Sequence, residues 1–123
     1  MIHYVGDIHQ PLHSVAKVDK AYPEGDEGGN DEKIDTSIEG VDNLHSVWDS
    51  VIYEFTGYAD IPLNDSDWDW FTQKAASLAE TYPVPASKLN AGDFSEWASE
   101  SLTLAETIVY PGFVEHEVPS DEY

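Results

Sequence analysis

The chain has 123 residues, the size of one ordinary domain, and 41% of them are hydrophobic with 12% aromatic. It can therefore bury a core and is too apolar for a disordered polyelectrolyte. Five Lys and Arg face 25 Asp and Glu, a formal charge of −20, so the surface repels polyanions at long range and counterion release cannot drive their binding. With no cysteine, disulfides and thiolate metal sites are excluded, and any zinc must be held by His and carboxylate.

Residues 1–18 read as a helical stretch kinked near Gly6 and Pro11; a proline inside a helix removes a hydrogen bond and clashes with the preceding turn. Met1 leads directly into this stretch, with neither the basic nor the apolar region of a signal peptide. The run 19–42, rich in Gly and acid, is a loop with short extended pieces expected around Lys33–Asp35 and Ser37–Glu39. A second helix begins after Asp42 or Asn43. Its apolar stripe runs through Leu44, Val47, Trp48, Val51, Ile52 and Phe55 to a stop at Gly57. A third, from Asp65–Ser66, lines up Trp68, Phe71, Ala75, Leu78 and Tyr82 and closes at Pro83 and Pro85. A fourth starts at Asp93, with Glu96 at capping-box spacing. Its inner face is read as Phe94, Trp97, Ala98, Ser101, Ala105 and Ile108, and Pro111–Gly112 stop it. Trp68, Trp70 and Trp97 are expected in the core, and Trp48 behind His45 and Asp49. No internal repeat, linker or run of about 18 apolar residues appears. The expected fold class is all-α, helices packed on helices.

Two short clusters carry metal-ligand spacing. His3 and Asp7 stand at i, i+4, roughly 40° apart around a helix, with His13 on the adjacent edge, re-aimed by Pro11. His45 and Asp49 repeat the i, i+4 spacing and flank the apolar stripe of the second helix, where a side chain is half-buried beside the core. Either pair alone is most often an ordinary solvated helix pair. Both together, with His13, point to adjacent metals held between helices, and imidazole–carboxylate sets with an open position suit catalytic zinc. His9 has no partner at ligand spacing and reads as a packing or supporting residue; His116, in the acidic end of the chain, reads as solvated.

Gly6-Asp7-Ile8-His9-Gln10-Pro11-Leu12-His13, then Gly28-Gly29-Asn30, then Asn43-Leu44-His45-Ser46-Val47-Trp48-Asp49, with Trp97-Ala98-Ser99-Glu100-Ser101 downstream, resemble the S1/P1 nuclease family. The resemblance covers roughly residues 1–111, a partial nuclease domain, and leaves 112–123 as an acidic tail. It implies the helical fold of phospholipase C/P1 nuclease type, here incomplete at both ends. It also implies a trinuclear zinc site and endonuclease cleavage of single-stranded DNA and RNA to 5′-phosphate products, with possible 3′-nucleotidase activity. Residue by residue, His3 would bind one zinc of a close pair, and Asp7, the catalytic carboxylate, would bridge that pair. His13, His45 and Asp49 would hold the third zinc. The Gly28-Gly29-Asn30 turn would shape the adjoining loop. The family's further ligands lie upstream of its first motif and have no counterpart here. The chain is therefore expected to be a C-terminal fragment that binds about one zinc well and shows little nuclease activity alone. Family members are secreted glycoproteins, and Asn64-Asp65-Ser66 is an N-glycosylation sequon; a monomer without membrane association is expected, acting on single strands and nucleotides. Two other readings stand beside this one. A phospholipase C-like zinc phosphoesterase is disfavoured by Asp49 and by Gln10-Pro11-Leu12-His13. An inactive acidic metal-binding helical domain would bind zinc without turnover.

Overall fold

The computed structural model describes residues 2–36, 39–50, 62–86 and 92–117. The chain divides into two compact units, Met1–Glu54 with Phe94–Tyr123, and Phe55–Asp93. Among the described residues it is helical, with no strand beyond a single antiparallel bridge between Lys33 and Asn43, in accord with the all-α expectation.

The first unit opens with α1 (Ile2–Ile8) and α2 (Pro11–Ser14). The expected kinked helix over 1–18 is instead two short helices followed by extended chain. The pyrrolidine ring of Pro11 cannot continue α1 and pushes the residue before it out of the helical region. Gln10 accordingly has φ −85° and ψ 114°, and Pro11 restarts a helix at its first position, where a missing N–H costs nothing. The second half of the expected helix is lost at Val15 (φ −137°, ψ 156°). Here the chain pairs sideways: Lys17 N–H donates to the Asp26 carboxylate at 2.8 Å, and Asp26 N–H to Lys17 C=O at 3.0 Å.

The loop that follows returns to the helices through Ile34 N–H to Asp42 C=O and Leu44 N–H to Glu32 C=O. That pairing accounts for the extended piece expected at Lys33–Asp35; Ser37 and Ile38 lie outside the described residues. Helix α3 (Leu44–Asp49) is capped by Asn43 rather than Asp42. The Asn43 side chain accepts from Ser46 N–H at 2.8 Å and Ser46 Oγ receives Asn43 N–H at 3.3 Å, a complete capping box. Val51, Ile52, Phe55 and the stop at Gly57 fall outside the described residues.

Helix α5 (Phe94–Leu104) begins directly after Asp93 and runs into a π-helical turn, Ala105–Val109, closed by Tyr110 N–H to Ala105 C=O at 3.1 Å (α4, in the second unit, follows below). The π turn resets the inner face. Ser101, Ala105 and Val109 are buried, whereas Ile108, assigned inward from a 3.6-residue period, is exposed; Phe94, also assigned inward, is exposed at the start of α5, ahead of the π turn. An extra residue in the turn rotates everything after it, so Val109 takes the place expected for Ile108. Val109 joins Leu12, Ile34, Val41, Leu44 and Val47 in the core, with Val15, Trp48, Tyr110 and Phe113 packed around them. Trp97 is half-buried against His9 and Phe94.

The second unit contains α4 (Asp65–Thr81), capped by Asn64, with Asp65 and Asp67 favourably placed at the positive end of the helix dipole. It ends just before Tyr82 and Pro83, as the prolines require. Its apolar stripe is not a buried one: Trp68, Trp70, Phe71, Leu78 and Tyr82 are exposed. Trp68 and Trp70 therefore do not form core as expected. Trp68 packs edge-on against Phe71 at 6.3 Å, and within this unit no second described helix covers that face. No described helix is long and apolar enough to cross a membrane.

Candidate metal centre

α2 and α3 meet beside the core, and each buries its leucine, Leu12 and Leu44, so that the next residue along turns toward the shared edge. Those next residues are His13 and His45. Their rings stack 5.0 Å apart at 28°. One turn on from His45, Asp49 reaches both: its Oδ1 is 3.0 Å from His13 Nε2 and its Oδ2 is 3.4 Å from His45 Nε2. His13, His45 and Asp49 each offer an atom within 4.8 Å of the others. All three are among the residues singled out in the two sequence clusters.

His45 is fixed from behind. Its Nδ1 lies 2.8 Å from the carbonyl oxygen of Gly28. A carbonyl only accepts, so a proton sits on Nδ1 and Nε2, directed at Asp49, is the nitrogen placed to meet a metal. Its backbone N–H donates to Gly29 C=O at 3.2 Å. The two glycines are required at this approach. Gly28 has φ +64°, and a Cβ there would stand 2.5 Å from Leu12 C=O; Gly29 has φ +82° and packs against Leu12 and Leu44. The Gly28–Asn30 turn thus lies beside the site, as the resemblance implied.

Asp49 is also oriented by a residue that the sequence reading left without a role. Gln10 Nε2 donates to Asp49 Oδ1 at 2.8 Å, while Gln10 Oε1 accepts Leu12 N–H. The available signal was its place one residue before a proline that restarts a helix, where a side chain must cap.

Asp7 and His3 occupy the neighbouring position. Their i, i+4 pairing closes at 3.2 Å between Asp7 Oδ2 and His3 Nε2, with His3 largely exposed. Asp7 Oδ1 faces His13 Nδ1 at 3.8 Å, beyond hydrogen-bond length. The structure therefore brings three of the five expected ligands into one cluster and joins the other two to it through Asp7. His9 Nδ1 donates to Val5 C=O, 2.7 Å away, with its ring 4.9 Å from Trp97, a packing role. His116 is exposed beside Asp35 and Glu115. Asn64 lies in the second unit.

The donor set fits zinc. Two imidazoles and a carboxylate converge, one imidazole is held in its ligating tautomer, and the carboxylate is steered by an amide, the support expected of a metal site. Behind the cluster lies a buried polar group. Asp26 is fully buried and accepts from Lys17 N–H and from the Tyr110 hydroxyl at 2.7 Å. Burial first, then the Asp26 carboxylate, pushes the Tyr110 phenol well above its usual range. Burial alone would lower the Lys17 ammonium, but Glu32, Asp19 and Asp26 outweigh it and raise it. Lys17 pairs with buried Glu32 and lies near the rings of Tyr22 and Tyr110.

A family of proteins described as S1/P1 nuclease matches residues 1–123 of the chain. Nuclease PA3 of Penicillium sp is 32% identical over 123 residues, covering 90% of this chain and 40% of that protein. Endonuclease 2 of Arabidopsis thaliana is 32% identical over 127 residues, covering 98% and 40%. Nuclease P1 of Penicillium citrinum is 32% identical over 123 residues, covering 90% and 40%. The chain thus spans about two fifths of the length of the curated relatives it matches. No solved structure matches it.

Proposed function

The chain belongs to the S1/P1 nuclease family, and from that membership we propose that it serves zinc-dependent hydrolysis of phosphodiester bonds in single-stranded DNA and RNA, to 5′-phosphate products and with 3′-nucleotidase activity. The observation that carries this reading is the convergence of His13, His45 and Asp49 within 4.8 Å. These three would hold one zinc. His3 and Asp7 would contribute to a neighbouring one, with Asp7 as the bridging carboxylate. Bound zinc supplies Lewis-acid neutralisation of phosphoryl oxygens and activation of water near neutral pH.

The chain's own residues set the stage for that chemistry. Gln10 holds the Asp49 carboxylate toward the two imidazoles. Gly28 C=O keeps the proton of His45 on the far side of the ring. His13 lies between Asp49 and Asp7, so it links the two ligand clusters. With few Lys and Arg in the sequence, substrate affinity would rest on metal–phosphate contact and on stacking of unpaired bases. Stacking contributes about 1–3 kcal/mol per base and favours single strands. We assign Asn64 as a glycan acceptor on a secreted monomer. It is exposed, and Ser66 Oγ, the sequon hydroxyl, donates to its Oδ1 at 2.5 Å.

Zinc titration against a chromophoric chelator, paired with digestion of end-labelled oligonucleotides, tests the reading. The expected result is a tight site abolished by His45→Ala and by Asp49→Ala, with little cleavage by the 123-residue chain alone and what cleavage there is zinc-dependent and directed at single strands rather than duplex. Hydrolysis of phosphatidylcholine in place of oligonucleotide would instead assign the phospholipase C-like activity. Zinc binding unaffected by either substitution would overturn the assignment of the ligands.

A further inference from the structure

The turn that grips His45 is itself anchored at one residue. The Asp26 carbonyl accepts Gly29 N–H at 3.1 Å and Asp31 N–H at 3.2 Å, and its N–H donates to Lys17 C=O at 3.0 Å. Its carboxylate takes Lys17 N–H on Oδ1 and the Tyr110 hydroxyl on Oδ2. Asp26 is 0% exposed, so each of these bonds replaces one to water that the site does not offer. Two and three residues on, Gly28 C=O receives the imidazole of His45 and Gly29 C=O receives its backbone N–H.

We propose that Asp26, held by the hydroxyl of Tyr110, is a positioning residue for His45: it fixes the 26–31 turn whose Gly28 carbonyl keeps the imidazole in the Nδ1–H form and whose Gly29 carbonyl holds its backbone, with Nε2 directed at Asp49. The proposal rests on the reading of His13, His45 and Asp49 as metal ligands only for its effect on affinity. The tautomer of His45 is a property of the metal-free chain. Tyr110 follows directly on the π turn of α5, so the end of that helix is tied through Asp26 to the turn that grips His45. The tight seat of Gly28 transmits the placement, because a turn with a carbonyl 2.5 Å from its would-be Cβ cannot shift without displacing α2.

The test uses the 123-residue chain, with cobalt(II) alone as a visible probe of affinity at a pH where imidazole is neutral. Long-range proton–nitrogen correlation spectra of the metal-free chain read the His45 tautomer, assigned by comparison with His45→Ala. Asp26→Ala and Tyr110→Phe are expected to weaken cobalt binding about tenfold, the low end of effects for residues behind a ligand, and to give mixed His45 tautomers. Asp26→Asn keeps an acceptor for Lys17 N–H and a polar partner for Tyr110, and is expected to restore both readings. Should Asp26→Ala not fold, Tyr110→Phe, which removes a single hydroxyl, decides on the same terms. Retention of the Nδ1–H form and of wild-type affinity within twofold would overturn the proposal, as would failure of Asp26→Asn to restore them. If the parent chain binds no cobalt, the metal-centre reading falls, and the tautomer comparison still decides the role of Asp26.

Discussion

Gln10 spends both ends of one amide: Oε1 caps α2 at Leu12 N–H and Nε2 steers Asp49. Gln10→Glu keeps the cap but turns the donor into a second carboxylate facing Asp49. It is expected to lower zinc affinity by about tenfold or more, since losing a ligand's supporting hydrogen bond typically costs 10–100-fold and like charge adds to it. Chelator competition reads the change, with circular dichroism confirming that the helices persist. Gly28 is the second residue on which the site depends. Gly28→Ala adds a methyl 2.5 Å from Leu12 C=O at φ +64°. Left-handed strain and backbone displacement together are expected to cost about 2–4 kcal/mol, seen as a fall in the urea midpoint with the slope unchanged.

The elements around the centre are short and take their stability from caps and from one another. In α3 the Asn43–Ser46 capping box fixes where His45 and Asp49 begin their turn, and Asn43→Ala should destabilise the chain by about 1 kcal/mol in urea unfolding. Between α5 and the loop, the raised Tyr110 and Lys17 groups give a pH signature. Both hold their protons more tightly folded than unfolded. The stability they contribute is complete below their unfolded values of about 10 to 10.4 and is lost as pH rises through the raised folded ones. The urea midpoint should therefore hold up to about pH 10 and drop as the pH rises beyond it, and Tyr110→Phe should flatten that drop. At this scale the spacing of His3 and Asp7, of His45 and Asp49, and the start of α3 could be read from the sequence, because i, i+4 geometry and a polar cap are local. The Pro11 break was legible as a kink but not as two helices, since the sideways pairing of Lys17 with Asp26 that pulls the chain straight is nonlocal. The inward place of Val109 was hidden by a π turn that no 3.6-residue period reveals. The exposure of Trp68 and Trp70 depends on what covers a face, which an apolar stripe alone does not state.

For the whole molecule, the acidic surface sets how metal and substrate act together. A ligand that binds only the folded chain stabilises it by mass action, about 2.7 kcal/mol at a hundredfold excess over Kd, so zinc should raise the melting temperature and a chelator should return it. On the proposed function, the same charge would invert the salt response usual for a protein that binds nucleic acid. Ordinarily, Lys and Arg displace counterions from the phosphate backbone and affinity falls steeply as salt rises. Here five such residues face 25 carboxylates, so little is displaced and the dominant long-range term is repulsion. Screening shortens its reach from about 30 Å at 0.01 M ionic strength to about 8 Å at 0.15 M. The contacts that would hold substrate, metal to phosphate and ring to base, act at short range and are screened far less. Between those ionic strengths the affinity of the zinc-loaded chain for a single-stranded oligonucleotide should therefore rise rather than fall, because the change lies in encounter. Zinc-loaded protein assayed in a potassium chloride series, with an uncharged-backbone oligonucleotide as competitor, separates the terms. A steady decline of that affinity across the series would place cationic side chains, not metal and stacking, at the centre of substrate binding.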